Sequence, residues 1–411
     1  MGTSTLNQTP YPVGTRRDAK SGDAPFLITV IVLVAFGLLM LYSSSVDYSV
    51  KILGKDPSYM LRRQVLWLGL GLATAYLLSR LDYHYWRRFS VLAMMGTIVA
   101  LIGVLLVSEL RLGAVRTMYN GSIQPSELAK LVTVIYLAVW MYAKRAQLHN
   151  IELGLIPLAI ILGLIGGLIY LQPDLSATAT VFILGGTLFF LAGADVKQLA
   201  ILMVLAGLVA WVVIQFSAKG QARVASYSLG LKDPMNASYH IQRALEAIIN
   251  GGVFGLGIGK SLTKLTGLPV PPTDSIFAVV VEEFGIFGGI FLISLYGVLI
   301  WRSMVIARRA PDMLGTLLAT GLAFWIGIEA LINMTVMVGL LPVAGNALPF
   351  ISAGGSSLVT SLAAVGIIYN VSRQRGEEAS QAEDEWRAFG ASTDLRGRNG
   401  RRSVSRPQRS R

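Results

Sequence analysis

The sequence contains no cysteine, and only 14% of its 411 residues are charged. The absence of cysteine excludes disulfides and thiolate metal sites. A soluble protein of this length needs more charge to cover its surface, whereas 54% of these residues are hydrophobic. The composition therefore predicts an all-α polytopic membrane protein.

Histidine is also scarce, and His84, His149 and His240 are scattered without metal-ligand spacing. No Ser, His and Asp arrangement typical of hydrolases is evident. The formal net charge of +12 could indicate nucleic acid binding. In a membrane protein such a charge more often belongs to cytoplasmic segments that face anionic lipid. We therefore expect membrane lipid, and no nucleic acid, among the partners.

Ten apolar stretches are long enough to cross about 30 Å of hydrocarbon. They lie at residues 25–45, 64–79, 89–108, 128–143, 151–171, 175–193, 198–216, 275–301, 314–340 and 353–372. Lysine and arginine are more frequent on the side that holds both termini, which predicts that the termini are cytoplasmic. We expect the polar tails, 1–24 and the basic 373–411, to be disordered cytoplasmic segments.

The segment 217–274, between the seventh and eighth stretches, is much longer than the other connections. Loops of this length in a compact protein are usually functional or disordered. Apolar helical sequence from Ile241 to Phe254 predicts that this one folds against the outer face of the membrane. Its basic residues run against the positive-inside rule and indicate a site for an anionic group. They are Lys219, Arg223, Lys232, Arg243, Lys260 and Lys264.

Asp274 places a carboxylate at the start of a long apolar helix. Prolines 269, 271 and 272 keep the preceding chain extended, so a helix can begin only around Thr273. A carboxylate near a bilayer is costly and needs a reason to be there. Asp274 could cap the helix, but Thr273 could cap it equally well. Asp274 is therefore also a candidate catalytic residue.

Three other sites carry ionisable groups near predicted helix ends. Glu127 and Lys130 have i,i+3 spacing at the start of the fourth stretch. They form either a structural ion pair or part of a substrate site. Asp174, after Gln172-Pro, either caps a helix or belongs to a site. Arg116 either extends to the membrane interface or contacts substrate.

Two glycine-containing segments allow more than one interpretation. Residues 251–261 resemble a phosphate-binding loop, but Phe254 stands where the Walker pattern needs glycine. We reject an ATPase, and the glycines serve either close helix packing or the backbone approach of a phosphate. In residues 341–357, small residues either pack helices or line a groove for a lipid chain.

Four motifs in this order resemble the SEDS family, which includes FtsW and RodA. They are QPSELAK at 124–130, QPD at 172–174, the glycine-rich segment with its aspartate at 251–285, and G.LP..G..LPF.S.GGSSL at 339–358. The resemblance extends over 25–372. Its FtsW-like form before Asp274 favours the division type, with a RodA-type elongation enzyme as the alternative. The chain departs from the family pattern at Ser275, where an aromatic residue is usual.

The resemblance implies ten spans and a peptidoglycan glycosyltransferase that polymerises lipid II on the outer face of the bacterial cytoplasmic membrane. It implies a class B penicillin-binding transpeptidase and divisome proteins as partners. Asp274 matches the proposed catalytic aspartate of the family. Glu127 and Lys130 match polar residues of its central cavity.

The chemistry joins a sugar hydroxyl to an anomeric carbon that carries a lipid pyrophosphate. A carboxylate that accepts the hydroxyl proton accelerates such a step about 10²–10⁴-fold, and Asp274 is our candidate. Basic residues, with or without a divalent cation near Asp274, would stabilise the pyrophosphate. No nucleotide cofactor is required. The candidate substrate-binding residues are Arg116, Glu127, Lys130, Asp174, Arg223, Lys264, Glu283 and Ser356.

Two other classes of function remain open at this point. Broken helices and ionisable groups within the membrane are typical of transporters, so the chain could be a lipid II flippase or another carrier. It could also be a scaffold that recruits partners. If the chain is this enzyme, its essential residues should cluster on the outer side of the membrane. If it is a transporter, they should be distributed over both sides.

Overall fold

The computed structural model describes residues 22–110 and 124–374, and all regular structure within these ranges is helical. The α-helices are α1 (Ala24–Lys51), α2 (Tyr59–Arg80), α3 (Trp86–Leu110), α4 (Pro125–Lys144), α5 (Ile156–Leu171), α6 (Leu175–Leu191), α7 (Val196–Phe216), α8 (Ala218–Lys232), α9 (Tyr239–Gly251), α10 (Thr263–Thr266), α11 (Ile276–Arg308), α12 (Met313–Met337) and α13 (Gly355–Gln374). The all-α prediction is confirmed.

Within the described ranges, eight of these helices are long and apolar enough to cross a membrane, namely α1, α3, α4, α5, α7, α11, α12 and α13. The chain is therefore a multi-pass membrane protein, as predicted. Helix α2 is less apolar because Arg62 and Arg63 lie near its start, and α6 has only 17 residues. Each predicted span falls on a helix, but the count of ten stays a prediction. Residues 1–21 and 375–411, which hold most of the predicted tails, lie outside the described ranges.

Two carboxylates hold the helices together at the end of the bundle where α1 begins. Asp23 caps α1 by accepting from the Phe26 N–H at 3.0 Å, and it also pairs with Arg302 of α11. Asp312 caps α12 and accepts from the Tyr83 hydroxyl at 2.9 Å and from Arg87 at 3.1 Å. Each cap is therefore also a contact between distant parts of the chain.

Helix α11 is interrupted at Gly285, whose φ of 71° lies in the left-handed region. The glycine-rich segment after α9 lies against this break and forms backbone hydrogen bonds with it. The Leu256 N–H donates to the Glu282 carbonyl at 3.0 Å, and the Gly257 N–H donates to the Glu283 carbonyl at 2.9 Å. Backbone groups that the break removes from the helix thus find partners in a second segment.

Glycine is required on both sides of this contact. A Cβ on Gly285 would lie 2.2 Å from the Val253 carbonyl oxygen, and a Cβ on Gly255 would lie 2.2 Å from the Glu283 carbonyl oxygen. No side chain fits at these distances. Of the two interpretations of the glycine-rich segment, the structure shows close packing, since its N–H groups are used on α11.

The segment between α7 and α11 folds into α8, α9 and α10. Helix α9 buries Ile241, Ala244 and Ala247 on one face. The buried carboxylate of Glu282 holds the start of α10, where it accepts from the N–H groups of Leu262 and Thr263 at 3.1 Å each. The location of this segment on the outer face of the membrane stays a prediction.

We predict that Gly285→Ala destabilises the protein, because the left-handed backbone and the contact with Val253 both oppose a side chain. The backbone conformation alone costs about 1–3 kcal/mol. Gly297→Ala is the matched control, since it lies in the same helix with open space around it. Thermal unfolding of the purified protein in detergent should give a melting temperature several degrees lower for Gly285→Ala. Equal melting temperatures for the two variants would contradict this account.

Candidate functional site

A cavity of about 180 Å³ lies at the end of the bundle where α4, α6, α11 and α13 begin. It brings together five residues that the sequence analysis singled out: Glu127, Lys130, Asp174, Asp274 and Ser356. The other lining residues include Gln124, Thr273, Gly345, Asn346 and Ser357. Residues that are far apart in the sequence, from Gln124 to Ser357, thus line one polar cavity.

The cavity lies among four helix N-termini. Gln124 precedes α4, Asp174 is the N-cap of α6, Asp274 lies two residues before α11, and Ser356 is in the first turn of α13. Each helix N-terminus carries a partial positive charge equivalent to roughly half an elementary charge. The positive ends of four helix dipoles therefore surround the carboxylates that line the cavity.

Asp174 links α4 to α6 with both carboxylate oxygens. Its Oδ1 accepts from the Ala177 N–H at 3.2 Å, and its Oδ2 accepts from the Gln124 side chain at 2.9 Å and from the Ser126 hydroxyl at 3.1 Å. The capping alternative is therefore realised, and the same carboxylate fixes the start of α4. A direct contact of Asp174 with substrate stays a prediction.

Lys130 forms a buried ionic cluster with two carboxylates. Its ammonium donates to Glu127 Oε1 at 2.7 Å and also to Glu329 Oε1 on α12. All three side chains are less than a tenth exposed. The i,i+3 pair predicted from sequence is present, but sequence reasoning missed Glu329. An acidic residue within an otherwise apolar helix was the signal that could have found it.

Asp274 is half-buried, and the residues around it fix its backbone. The Asn333 side chain donates to the Asp274 carbonyl at 2.9 Å and also to the Asn346 carbonyl. The Ser352 hydroxyl donates to the Thr273 carbonyl at 2.6 Å. Gly345 lies close to the carboxylate, since a Cβ there would be 3.4 Å from Asp274 Oδ2.

The loop between α12 and α13 supports Asp274 and is itself anchored to α2. The Gln64 amide donates to the Ser352 carbonyl at 3.2 Å and accepts from the Gly354 N–H at 3.3 Å. Ser356 accepts from the Gln124 N–H at 3.1 Å, which joins α13 to the start of α4. Gln64 and Asn333 were missed from the sequence, because nothing local marks an amide that binds a distant loop.

Lys264 and Glu283 are not among the residues that line this cavity. Their side chains form a buried ion pair at 2.8 Å, with Lys264 only 3% exposed. The Lys264 ammonium also donates to the Gly259 carbonyl at 2.9 Å, and Glu283 accepts from the Ser43 hydroxyl at 2.6 Å. The pair joins the segment before α11 to α1. A contact of Lys264 or Glu283 with substrate stays a prediction.

The other two predicted cations lie elsewhere. Arg223 lines a second cavity, between α8, α9 and the loop after α12. Arg116 lies outside the described residues. In the described ranges, no group of three His, Cys, Asp or Glu side chains could hold a metal ion, so a divalent cation near Asp274 stays a prediction.

The fold and the cavity define a multi-pass membrane protein with a polar, carboxylate-lined site at one end of its helical bundle. The chain belongs to the FtsW/RodA/SpoVE family, whose model, described as "Cell cycle protein", matches residues 23–377. This agrees with the resemblance found from the motifs.

The chain is similar to stage V sporulation protein E of Bacillus subtilis, with 37% identity over 86% of this chain and 97% of that protein. It is 35% identical to a probable peptidoglycan glycosyltransferase FtsW of Trichlorobacter lovleyi, over 85% of this chain and 93% of the other. A chain from a solved peptidoglycan synthase complex that coordinates polymerization and crosslinking matches with a TM-score of 0.69 at 28% identity, covering 86% of this chain and 98% of that one. The rod shape determining protein RodA of Thermus thermophilus matches with a TM-score of 0.58 at 27% identity over the same shares.

We predict that Lys130→Met destabilises the protein, because it leaves Glu127 and Glu329 buried without their cation. Removal of one partner from a buried ionic cluster costs about 3–5 kcal/mol. The added change Glu329→Gln should recover part of this loss, since it removes one of the two unpaired charges. The measurement is chemical or thermal unfolding in detergent.

The control for this series is Lys144→Met, an exposed lysine at the other end of the same helix. It should leave stability close to that of the unmodified protein. If Lys130→Met were as stable as Lys144→Met, the cluster would not hold these helices together.

Proposed function

We propose that this chain polymerises lipid II into glycan strands on the outer face of the bacterial cytoplasmic membrane. That it is a peptidoglycan glycosyltransferase follows from its family and from the relatives named as such. The observation that carries the proposal is the position of Asp274. Its carboxylate lines the same polar cavity as Glu127, Lys130 and Asp174, where four helices begin.

The proposed step joins two lipid-linked sugars. The acceptor hydroxyl oxygen attacks the anomeric carbon of the donor and forms the new glycosidic bond. The bond between that carbon and the pyrophosphate oxygen breaks, and its electron pair leaves with the lipid pyrophosphate. The hydroxyl proton passes to the Asp274 carboxylate, which acts as general base. The donor is already activated, so no nucleotide is required.

The surroundings of Asp274 suit this role. Asn333 donates to the Asp274 carbonyl and Ser352 donates to the carbonyl of the preceding residue, Thr273. These hydrogen bonds hold the backbone in place, which limits the loss of entropy when substrate binds. The helix N-termini around the cavity place partial positive charge near the carboxylate, and a carboxylate must be ionised to accept a proton. Its half-buried position leaves the carboxylate accessible from the cavity.

The side of the membrane and the division role belong to the same proposal. The positive-inside bias supports cytoplasmic termini, and this orientation would place the cavity at the outer face of the cytoplasmic membrane. Relatives named FtsW support a role in division, while similarity to SpoVE and RodA keeps the elongation and sporulation types as alternatives. The match to a chain from a synthase complex supports a class B penicillin-binding transpeptidase as partner, and we include divisome proteins.

Transport of lipid II is the second candidate, and the interruption of α11 is the observation that favours it. The interruption is held by backbone hydrogen bonds from Leu256 and Gly257. The polar residues of the cavity all come from one end of the bundle, which favours a surface reaction over a path through the membrane. Assays of lipid II movement across liposomes, separate from polymer formation, distinguish the two functions.

We predict that Asp274→Asn lowers polymer formation from purified lipid II by about 10²–10⁴-fold, because the amide cannot accept the proton. Asparagine has nearly the same size and shape as aspartate, and the hydrogen bond from Asn333 to the backbone of residue 274 is kept, so the variant should stay folded. Asp56→Asn is the control: it is an exposed aspartate between α1 and α2, at the same end of the bundle. It should polymerise at the normal rate.

Gel analysis of the glycan products is the measurement for both variants. If Asp274→Asn polymerised lipid II as well as Asp56→Asn, the assignment of Asp274 as general base would be wrong. Another outcome is that the unmodified chain moves lipid II across liposomes and forms no polymer from it, either alone or together with its transpeptidase. In that case a transporter would be the better description.

A further inference from the structure

A second cavity has a volume of about 230 Å³. Its walls are α8, the beginning of α9 and the loop that follows α12. The polar residues that line it are Arg223, Ser226, Tyr227, Ser238 and His240. Among the predicted site residues, Arg223 alone faces this space within the described part of the chain.

The lining of this cavity differs in charge from that of the first. Among the described residues that line it, Arg223 is a cation and none is an acid. The first cavity is lined by the three carboxylates of Glu127, Asp174 and Asp274, and its lysine is held by two acids. An anionic group of a substrate therefore meets less repulsion in the second cavity.

The hydrogen-bonding groups of the second cavity also fit an anion. The Ser238 hydroxyl is buried and has no hydrogen-bond partner within the described residues. A buried hydroxyl without a partner is unfavourable unless a ligand or a water satisfies it. Arginine offers five N–H donors in a fixed plane, so it can bind a phosphate while it keeps another contact.

Contacts with the Asp274 region join the two cavities. The Ser275 hydroxyl donates to the Pro269 carbonyl at 2.6 Å, so it accepts from His240 Nε2, which lies 2.6 Å away. Burial lowers the pKa of His240, which keeps the ring neutral at pH 7. The Tyr227 hydroxyl donates to the Leu340 carbonyl at 2.7 Å, in the loop that continues to Gly345 beside Asp274.

The volume of the second cavity limits what it can hold. Pockets for drug-sized ligands measure about 300–1,000 Å³, and this one is smaller, at about 230 Å³. It has room for a headgroup, not for a whole lipid-linked disaccharide. A polymerase must hold two substrates at once. The hydroxyl of one must contact the general base, and the pyrophosphate of the other needs a binding site nearby.

We propose that this second cavity is a phosphate-binding subsite for the lipid-linked sugar, with Arg223 and Ser238 as its donors. The inference rests on the proposed polymerase function and adds to it a division of roles between two cavities. The first cavity, with Asp274, receives the hydroxyl that loses its proton. The second receives the pyrophosphate that leaves, and Ser275 and the loop from Leu340 to Gly345 keep the two at a fixed separation.

Binding of farnesyl pyrophosphate to the purified full-length protein tests this proposal. Arg223→Gln and Ser238→Ala should each weaken binding, by about tenfold or more for Arg223→Gln, because a hydrogen bond to a charged group is lost. The matched control is Lys232→Gln, which removes an exposed positive charge from the end of the same helix and should bind as the unmodified protein does. Farnesol, which lacks the pyrophosphate, should bind weakly to every variant.

Several results would overturn the proposal. One is equal binding of farnesyl pyrophosphate by Arg223→Gln and Lys232→Gln, and another is equal binding of farnesol and farnesyl pyrophosphate. Competition by acetyl-D-alanyl-D-alanine but not by inorganic pyrophosphate would show a carboxylate site instead. Ser238→Ala removes a single hydroxyl, so it tests the subsite even if Arg223→Gln fails to fold.

Polymerisation assays separate this proposal from the function on which it rests. In the same assay, Arg223→Gln should raise the KM for lipid II more than it lowers kcat, whereas Asp274→Asn should lower kcat and still bind farnesyl pyrophosphate. An unchanged KM in Arg223→Gln, with active unmodified protein, would refute the subsite alone. A fully active Asp274→Asn would refute the assignment of Asp274 as general base. The binding of farnesyl pyrophosphate would then decide whether the phosphate-binding subsite exists.

Discussion

The structure depends on how the break in α11 is repaired. An unpaired backbone group in hydrocarbon costs several kcal/mol, so a membrane helix can be interrupted only where other groups replace its lost hydrogen bonds. At Gly285 these come from the N–H groups of Leu256 and Gly257. The two backbones can approach only because Gly255 and Gly285 have no side chains.

This repair fixes the residues that precede the candidate catalytic aspartate. Glu282 and Glu283 immediately precede the break, and both bind the segment that contains α10. Glu282 holds the start of α10, and Glu283 is paired with Lys264. The chain from Lys264 to Asp274 thus starts from a fixed point. Asn333 and the loop after α12 hold its other end. A carboxylate that accepts a proton in a defined geometry needs such support from both sides.

Local signals in the sequence predicted much of the fold and part of the site. The apolar stretches predicted the helices, and the i,i+3 spacing predicted the pair of Glu127 and Lys130. The Gln172-Pro-Asp174 sequence predicted a helix cap. These features depend on neighbours along the chain. Glu329 joins Lys130 from 199 positions away, and burial of Lys264 depends on three packed elements, so neither followed from spacing or composition.

The charges around Lys130 restrict how a pyrophosphate can be stabilised. Lys130 lies between Glu127 and Glu329, so moving its ammonium to a phosphate would leave two buried carboxylates without a cation. Such a loss is comparable to breaking a buried ion pair, about 3–5 kcal/mol. Lys264 is held in the same way by Glu283. In the two-cavity proposal, Arg223 of the second cavity supplies the positive charge that the pyrophosphate meets. In this proposal, Lys130 and Lys264 hold the helices together, and Arg223 meets the substrate.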